Sequence, residues 1–89
     1  MDITLNEDPT HGTWSGGTVV YRVTVDDTWI GWVGDGRKWK GSHYGPVRWW
    51  ACWRQDGDTA ARWCSDLDYR SRNAARLALL VRITAHHLD

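Results

Sequence analysis

The chain has 89 residues, enough for one core that buries roughly 60–65% of the unfolded surface and too few for separate catalytic and regulatory domains. Eleven basic and eleven acidic side chains bring the formal net charge to zero. No apolar run approaches the ~20 residues of a membrane helix. MDITLNEDPTHG lacks the basic and apolar stretches of a secretory leader, so the expected setting is cytoplasmic, with Cys52 and Cys64 reduced and packed.

The zero hides an asymmetry. Residues 1–35 hold six carboxylates against Arg22 alone, whereas residues 36–89 hold ten cations against five carboxylates. Such a split points to a polar partner or to self-association, unless the two halves interleave in the fold. Nine of the eleven cations are Arg, a coding bias compatible with a GC-rich actinobacterium or one of its phages. Eight Trp and three Tyr take the place of Phe, which is absent. Each can bury about 150–250 Å², so most are expected in the core and one or two at the surface as contact residues.

Residues 1–13 read as an arm or loop in which Met1 to Leu5 could form a short edge strand. Thr18 to Val25 alternates, with Val19, Tyr21, Val23 and Val25 on one side and Thr18, Val20, Arg22 and Thr24 on the other, the pattern of a half-buried strand. Asp26-Asp27 is a two-residue turn. Thr28 to Val33 follows as a strand whose Gly31 marks a bulge or a close approach. Asp35-Gly36 has the composition of a tight hairpin turn, which would set Trp32 opposite Trp39 and make Arg37 to Tyr44 a third strand of this meander. Gly45-Pro46 ends it.

Val47 to Gln55 is the next strand, with Val47, Trp49, Ala51 and Trp53 on one face and Arg48, Trp50, Cys52 and Arg54 on the other. A turn at Asp56-Gly57 leads into Asp58 to Cys64 and implies a register of Cys52 with Ala61, which argues against a disulfide. From Ser71, a good N-cap, the period changes to that of a helix running to about His87; Ser65 to Asp68 is an alternative, earlier capping box. Ala74, Leu77, Ala78, Val81, Ala85 and Leu88 form the stripe expected on the sheet. Leu79, Leu80 and Ile83 form a second apolar set, to be buried by curled strands, by the N-terminal arm or by a second copy, and are the expected dimer or partner interface.

The fold class is therefore α+β, a single domain over 1–89. An antiparallel β-meander of four to five strands, within 18–64, packs against one C-terminal helix, 72–87.

No chemistry-bearing signature stands out. His11, His43, His86 and His87 have no metal-site spacing with the cysteines. The Asp pairs fall in turns, where solvation and local hydrogen bonds explain them, and the glycines match no phosphate-binding motif. No enzyme activity, metal or cofactor is expected. Arg70, Arg72 and Arg76 sit near the helix N-terminus, unfavourable for cations, and should face an anion or Asp66 and Asp68. The most informative stretch is RKWKGSHYGPVRWWACWR, 37–54, with five cations, five aromatics and no carboxylate. Cations neutralise phosphates, aromatic faces stack on bases, and a two-stranded ribbon fits the major groove. The expected contacts are Arg37, Lys38, Lys40, Arg48, Trp50 and Arg54.

WWACWRQDGDTAARWCSDLDYRSRNAARLALL, a strand, an Asp-Gly turn, a strand and a Ser-Arg-x-Ala-Ala helix start, resembles the arm-type DNA-binding domains of phage tyrosine integrases over residues 37–88. The same outline occurs in small actinobacterial and actinophage proteins. The resemblance implies a sheet backed by one helix and laid in the DNA major groove, with Arg48 and Arg54 as strand-borne contacts. The expected function is DNA binding by a small non-enzymatic protein. The alternative is a protein-interaction module, either a phage protein that binds and alters a host protein or a structural homodimer.

Overall fold

The computed structural model describes residues 2–9, 12–13, 16–55 and 57–88, the last four as backbone only. Five strands form one antiparallel sheet in chain order: β1 (Ile3–Glu7), β2 (Val20–Val25), β3 (Thr28–Gly36), β4 (Arg48–Trp53) and β5 (Trp63–Cys64). One helix follows, α1 (Arg72–Leu88), which lies across β4 and β3. This is the meander-plus-helix architecture expected from the sequence. Among the described residues no helix is long and apolar enough to cross a membrane. The expected features on Met1, His11 and Asp56 lie outside the described residues.

The β2–β3 hairpin follows its sequence closely. Asp26 and Asp27 both have positive φ, 48° and 67°, as a two-residue turn matched to strand twist requires. The register then jumps: Thr24 opposes Trp29 and Val23 opposes Gly31, leaving Ile30 as an extra residue. Gly31 is also a close approach, because a Cβ there would stand 2.0 Å from the Cys52 carbonyl oxygen.

Both faces of the sheet are buried. On the helix side Val23, Ile30, Val33, Ala51 and Trp53 pack against Ala75 and Leu79. On the other side Val20, Trp32, Trp50 and Cys52 are covered by Leu67 and Ala61 from the chain after β4. Trp50 is fully buried. It can lie flat because its cross-strand partner is Gly34, where a Cβ would stand 2.4 Å from the indole.

Three expectations are corrected. Asp35-Gly36 is not a turn. Both residues stay in β3, paired with Trp49 and Arg48, so Trp32 opposes Cys52 rather than Trp39. The cause is the Asp35 carboxylate, which accepts hydrogen bonds from Thr18 N (2.8 Å), Thr18 Oγ1 (2.7 Å) and Val19 N (2.9 Å) and so holds the strand against the preceding chain. The strand expected over 58–64 is only the two-residue β5, since Asp58 to Arg62 loop outward before pairing resumes. That loop shifts the register, so Cys52 opposes Cys64 and the two form a disulfide. Neither cysteine is free.

The helix is rotated from expectation. Ser71 caps it as foreseen, its Oγ accepting from Ala74 N at 3.0 Å. Leu79 is completely buried, and Leu80 and Ile83 pack on the same core. Leu77 and Val81 are exposed instead. The expected interface Leu79, Leu80 and Ile83 is thus the core face, and of the stripe expected on the sheet Ala74 and Ala78 are half-buried.

The disulfide closes a loop of 12 residues, for which chain entropy contributes about 3 kcal/mol. A Cys52→Ala/Cys64→Ala double variant should lose stability of that order in urea unfolding, and adding reductant to the parent protein should give a similar loss.

Candidate functional site

Eleven residues, 37–47, link β3 to β4 and form a small hairpin of their own. Gly41 has φ 95°, a left-handed conformation that costs glycine little, and Gly41-Ser42 reverses the chain. Lys40 N donates to His43 O at 2.8 Å and Gly45 N donates to Lys38 O at 2.7 Å. These two bonds frame Trp39 opposite Tyr44 as an isolated bridge, with the close side-chain approach of a non-hydrogen-bonded pair. Their rings meet edge to face, 5.1 Å between centroids at 72°.

Strand alternation gives this hairpin two unlike faces. Arg37, Trp39 and Tyr44 share one. Trp39 is 59% exposed and Tyr44 46%. Tyr44 is seated on Gly16, where a Cβ would lie 3.3 Å from the ring and 3.0 Å from the Arg37 Cβ. Gly16 is held in turn by the clasp of Asp35 on Thr18 and Val19. The other face carries Lys38 and Lys40, which line a cleft of about 210 Å³ with Gly45, Pro46, Arg48 and Leu67. Among the described residues no carboxylate lines this cleft. Asp66 stands at its margin, 3.5 Å from Lys38 Nζ. The Leu67 amide, and then the charge of Lys38, hold the Asp66 carboxyl below its ordinary value of 3.8.

Of the six expected nucleic-acid contacts, four belong to this hairpin and its base. Lys38, Lys40 and Arg48 converge on the cleft, and Arg37 is exposed on the aromatic side. The other two are corrected. Trp50 has no exposed surface, because the strand face expected to be open is covered by Leu67 and Ala61. Arg54 is 5% exposed. Its guanidinium donates to Trp29 O at 2.7 Å and to Asp58 O at 2.5 and 3.1 Å, and lies 3.9 Å from the Trp29 ring centroid. Arg54 therefore holds β3 to the loop after β4 and is not available to a ligand.

The tryptophan cluster beneath that loop is structural. Trp29 meets Trp32 edge to face at 5.0 Å, and Arg22 and Arg54 both flank the Trp29 ring. Buried Asp8 accepts from Arg22 at 3.2 Å and from Trp32 Nε1 at 3.3 Å. At the helix start Arg72 lies over Tyr21 and Arg76 donates to Asn73; Asp66 pairs with Lys38 instead. Leu77 and Val81 are exposed on one helix face. Among the described residues no group of three His, Cys, Asp or Glu is placed to hold a metal.

Sequence reading missed the hairpin tip itself. The sequence pattern puts Trp39 and Tyr44 in a sheet strand because Asp-Gly outranks Gly-Ser as a turn signal. The available clue was Gly41-Ser42, four residues before Gly45-Pro46, with an aromatic two residues before it and another two after it.

Comparison with known proteins finds no matching family model, no similar curated protein and no similar solved structure.

Two predictions follow from the buried polar groups. Burial alone would raise the Asp35 carboxyl, but hydrogen bonds from the Thr18 and Val19 amides and the Thr18 hydroxyl outweigh it and hold it below 3.8. A depressed folded value stabilises above the unfolded value and loses that stabilisation as pH falls through the folded one. Asp35→Asn should therefore unfold more readily than the parent at neutral pH, and the gap should narrow below about pH 4, measured by urea unfolding across pH. Arg54→Ala should cost about 3 kcal/mol of stability, as expected when buried carbonyls lose a charged donor, and this can be read from the same unfolding experiment.

Proposed function

We propose that this is a small non-enzymatic nucleic-acid-binding protein, with DNA the first ligand to test, whose contact surface is the 37–48 hairpin. The observation that carries the reading is a cleft lined by Lys38, Lys40 and Arg48, with exposed Trp39 and Tyr44 on the same excursion as the two lysines. Cations closely spaced on a short rigid support release counterions when phosphates replace them. With Trp50 and Arg54 buried, the proposed contact is at the hairpin tip and not on the strand face that the integrase resemblance implies. The disulfide favours a working environment more oxidising than the cytoplasm. Two of the six carboxylates in residues 1–35, Asp8 and Asp35, are buried acceptors, while Asp2, Glu7, Asp26 and Asp27 stay exposed.

The test is fluorescence anisotropy of labelled mixed-sequence DNA, single-stranded and duplex, at low and moderate salt. Affinity should fall steeply with salt. Replacing Lys38, Lys40 and Arg48 by Ala should weaken binding to every sequence and lower the salt slope by about one for each cation removed. Asp66→Asn, which releases Lys38 from its partner, should tighten binding. Absence of binding to either form at low salt, where non-specific attraction is strongest, would overturn the reading.

A further inference from the structure

Resting on that reading, we propose that the hairpin takes single-stranded rather than duplex nucleic acid, with Trp39 stacking on an unpaired base while the lysine cleft holds the adjoining phosphates. Three observations converge. Trp39 and Tyr44 project from one face of the hairpin, while Lys38 and Lys40 project from the other into the cleft. Trp39 is the most exposed aromatic ring among the described residues, 59% against 46% for Tyr44. Tyr44 is backed by Gly16 and braces Trp39 edge-on, a support that fixes the indole without covering it as a stacked neighbour would.

The two faces are separated by a ribbon two strands wide, about 5 Å between backbones. A ligand that uses both must fold around its edge. Duplex DNA is stiff over about 150 base pairs and keeps its base faces stacked inside, so it can meet the cations or the indole edge but has no base face to offer. A single strand turns freely at each nucleotide, so its phosphates can lie along Lys38, Lys40 and Arg48 while a neighbouring base closes over Trp39. Base–aromatic stacking of this kind is tolerant of sequence. No motif for sequence readout is needed.

The experiment measures the affinity of the intact, oxidised protein for three labelled or competing probes at one salt concentration: oligothymidylate about 12 nucleotides long, within the usual range of single-strand site sizes; a duplex of the same length; and inorganic polyphosphate, which has the charge without bases. The single strand should bind roughly 10-fold or more tightly than either of the others. Trp39→Ala should weaken single-strand binding roughly 5- to 100-fold and leave duplex and polyphosphate binding unchanged, while Trp39→Tyr, which keeps a ring, should restore most of the loss. Because Trp39 is exposed, circular dichroism should show both variants folded. Equal affinity for the three probes, or a Trp39→Ala variant that binds oligothymidylate as the parent does, would overturn the stacking proposal and leave the cationic cleft standing. Binding to none of the probes would remove the nucleic-acid reading along with it.

Discussion

Strand alternation places residues three apart on opposite faces of a sheet. Trp29 and Trp32 nevertheless meet edge to face on the same side, and the reason is Ile30, which the β2 partner strand does not match. The extra residue turns Ile30 and Gly31 together toward α1 and returns Trp29 to the side of Trp32. On that side the Trp29 indole becomes the platform on which Arg22 and Arg54 rest. Arg54 ties down the loop that starts at Asp58, and this loop leads to the Cys64 pairing and to Leu67, which closes the second core. A regular β3 would send Trp29 to the helix face and leave Arg54 without its seat.

A sheet covered on both faces is unusual provision for a chain this short. One face is covered by a helix and the other by a largely irregular segment, 54–70, anchored by Arg54, by Ser65 and by the disulfide. The result consumes most of the tryptophans as packing material. It also decides where contact with anything else can occur. With the strand faces closed, the most exposed aromatics among the described residues, Trp39 and Tyr44, sit beside Lys38 and Lys40 on the excursion between β3 and β4. The core absorbs part of the charge asymmetry along the chain, while Asp2, Glu7, Asp26 and Asp27 stay exposed. Asp8 and Asp35 from the acidic part are spent on internal clasps, whereas Lys40, Arg37 and Arg48 are left facing outward.

The sequence carried the fold because its signals were local and redundant. Val20 to Val25 alternates without interruption, Asp26-Asp27 turns it, Gly31 marks the bulge, and Ser71 precedes a run of helix formers. What was not legible depended on tertiary bookkeeping. The Asp35 carboxylate has its partners 16 and 17 residues away, so a turn signal read locally was overruled by hydrogen bonds that no local pattern records. The Cys52–Cys64 pairing depended on how many residues loop out after Arg54, and Asp-Gly suggested too few. The choice between the two helix stripes turned on the shape of the sheet, which takes Leu79 whole, and not on apolar content. Of the candidate site, Lys38, Lys40 and Arg48 were visible as charges, but their convergence required the Gly41 turn and the bend at Gly45-Pro46.

The segment from Ser65 to Tyr69, which forms the far wall of the lysine cleft through Leu67 and positions Asp66, is fastened at both ends. Cys64 is bonded to Cys52 just before it, and Tyr69 exchanges backbone hydrogen bonds with Trp49 at its end, N to O at 3.0 Å and O to N at 2.7 Å. Between these two fastenings the chain has a fixed length. In the preceding stretch Asp58 is held by Arg54 and Arg62, while Thr59 and Ala60 beyond it are exposed. Room for a change in chain length thus lies on one side of Cys64: a residue added at the exposed Thr59-Ala60 tip leaves the cleft in place, whereas one inserted between Cys64 and Tyr69 would displace its wall.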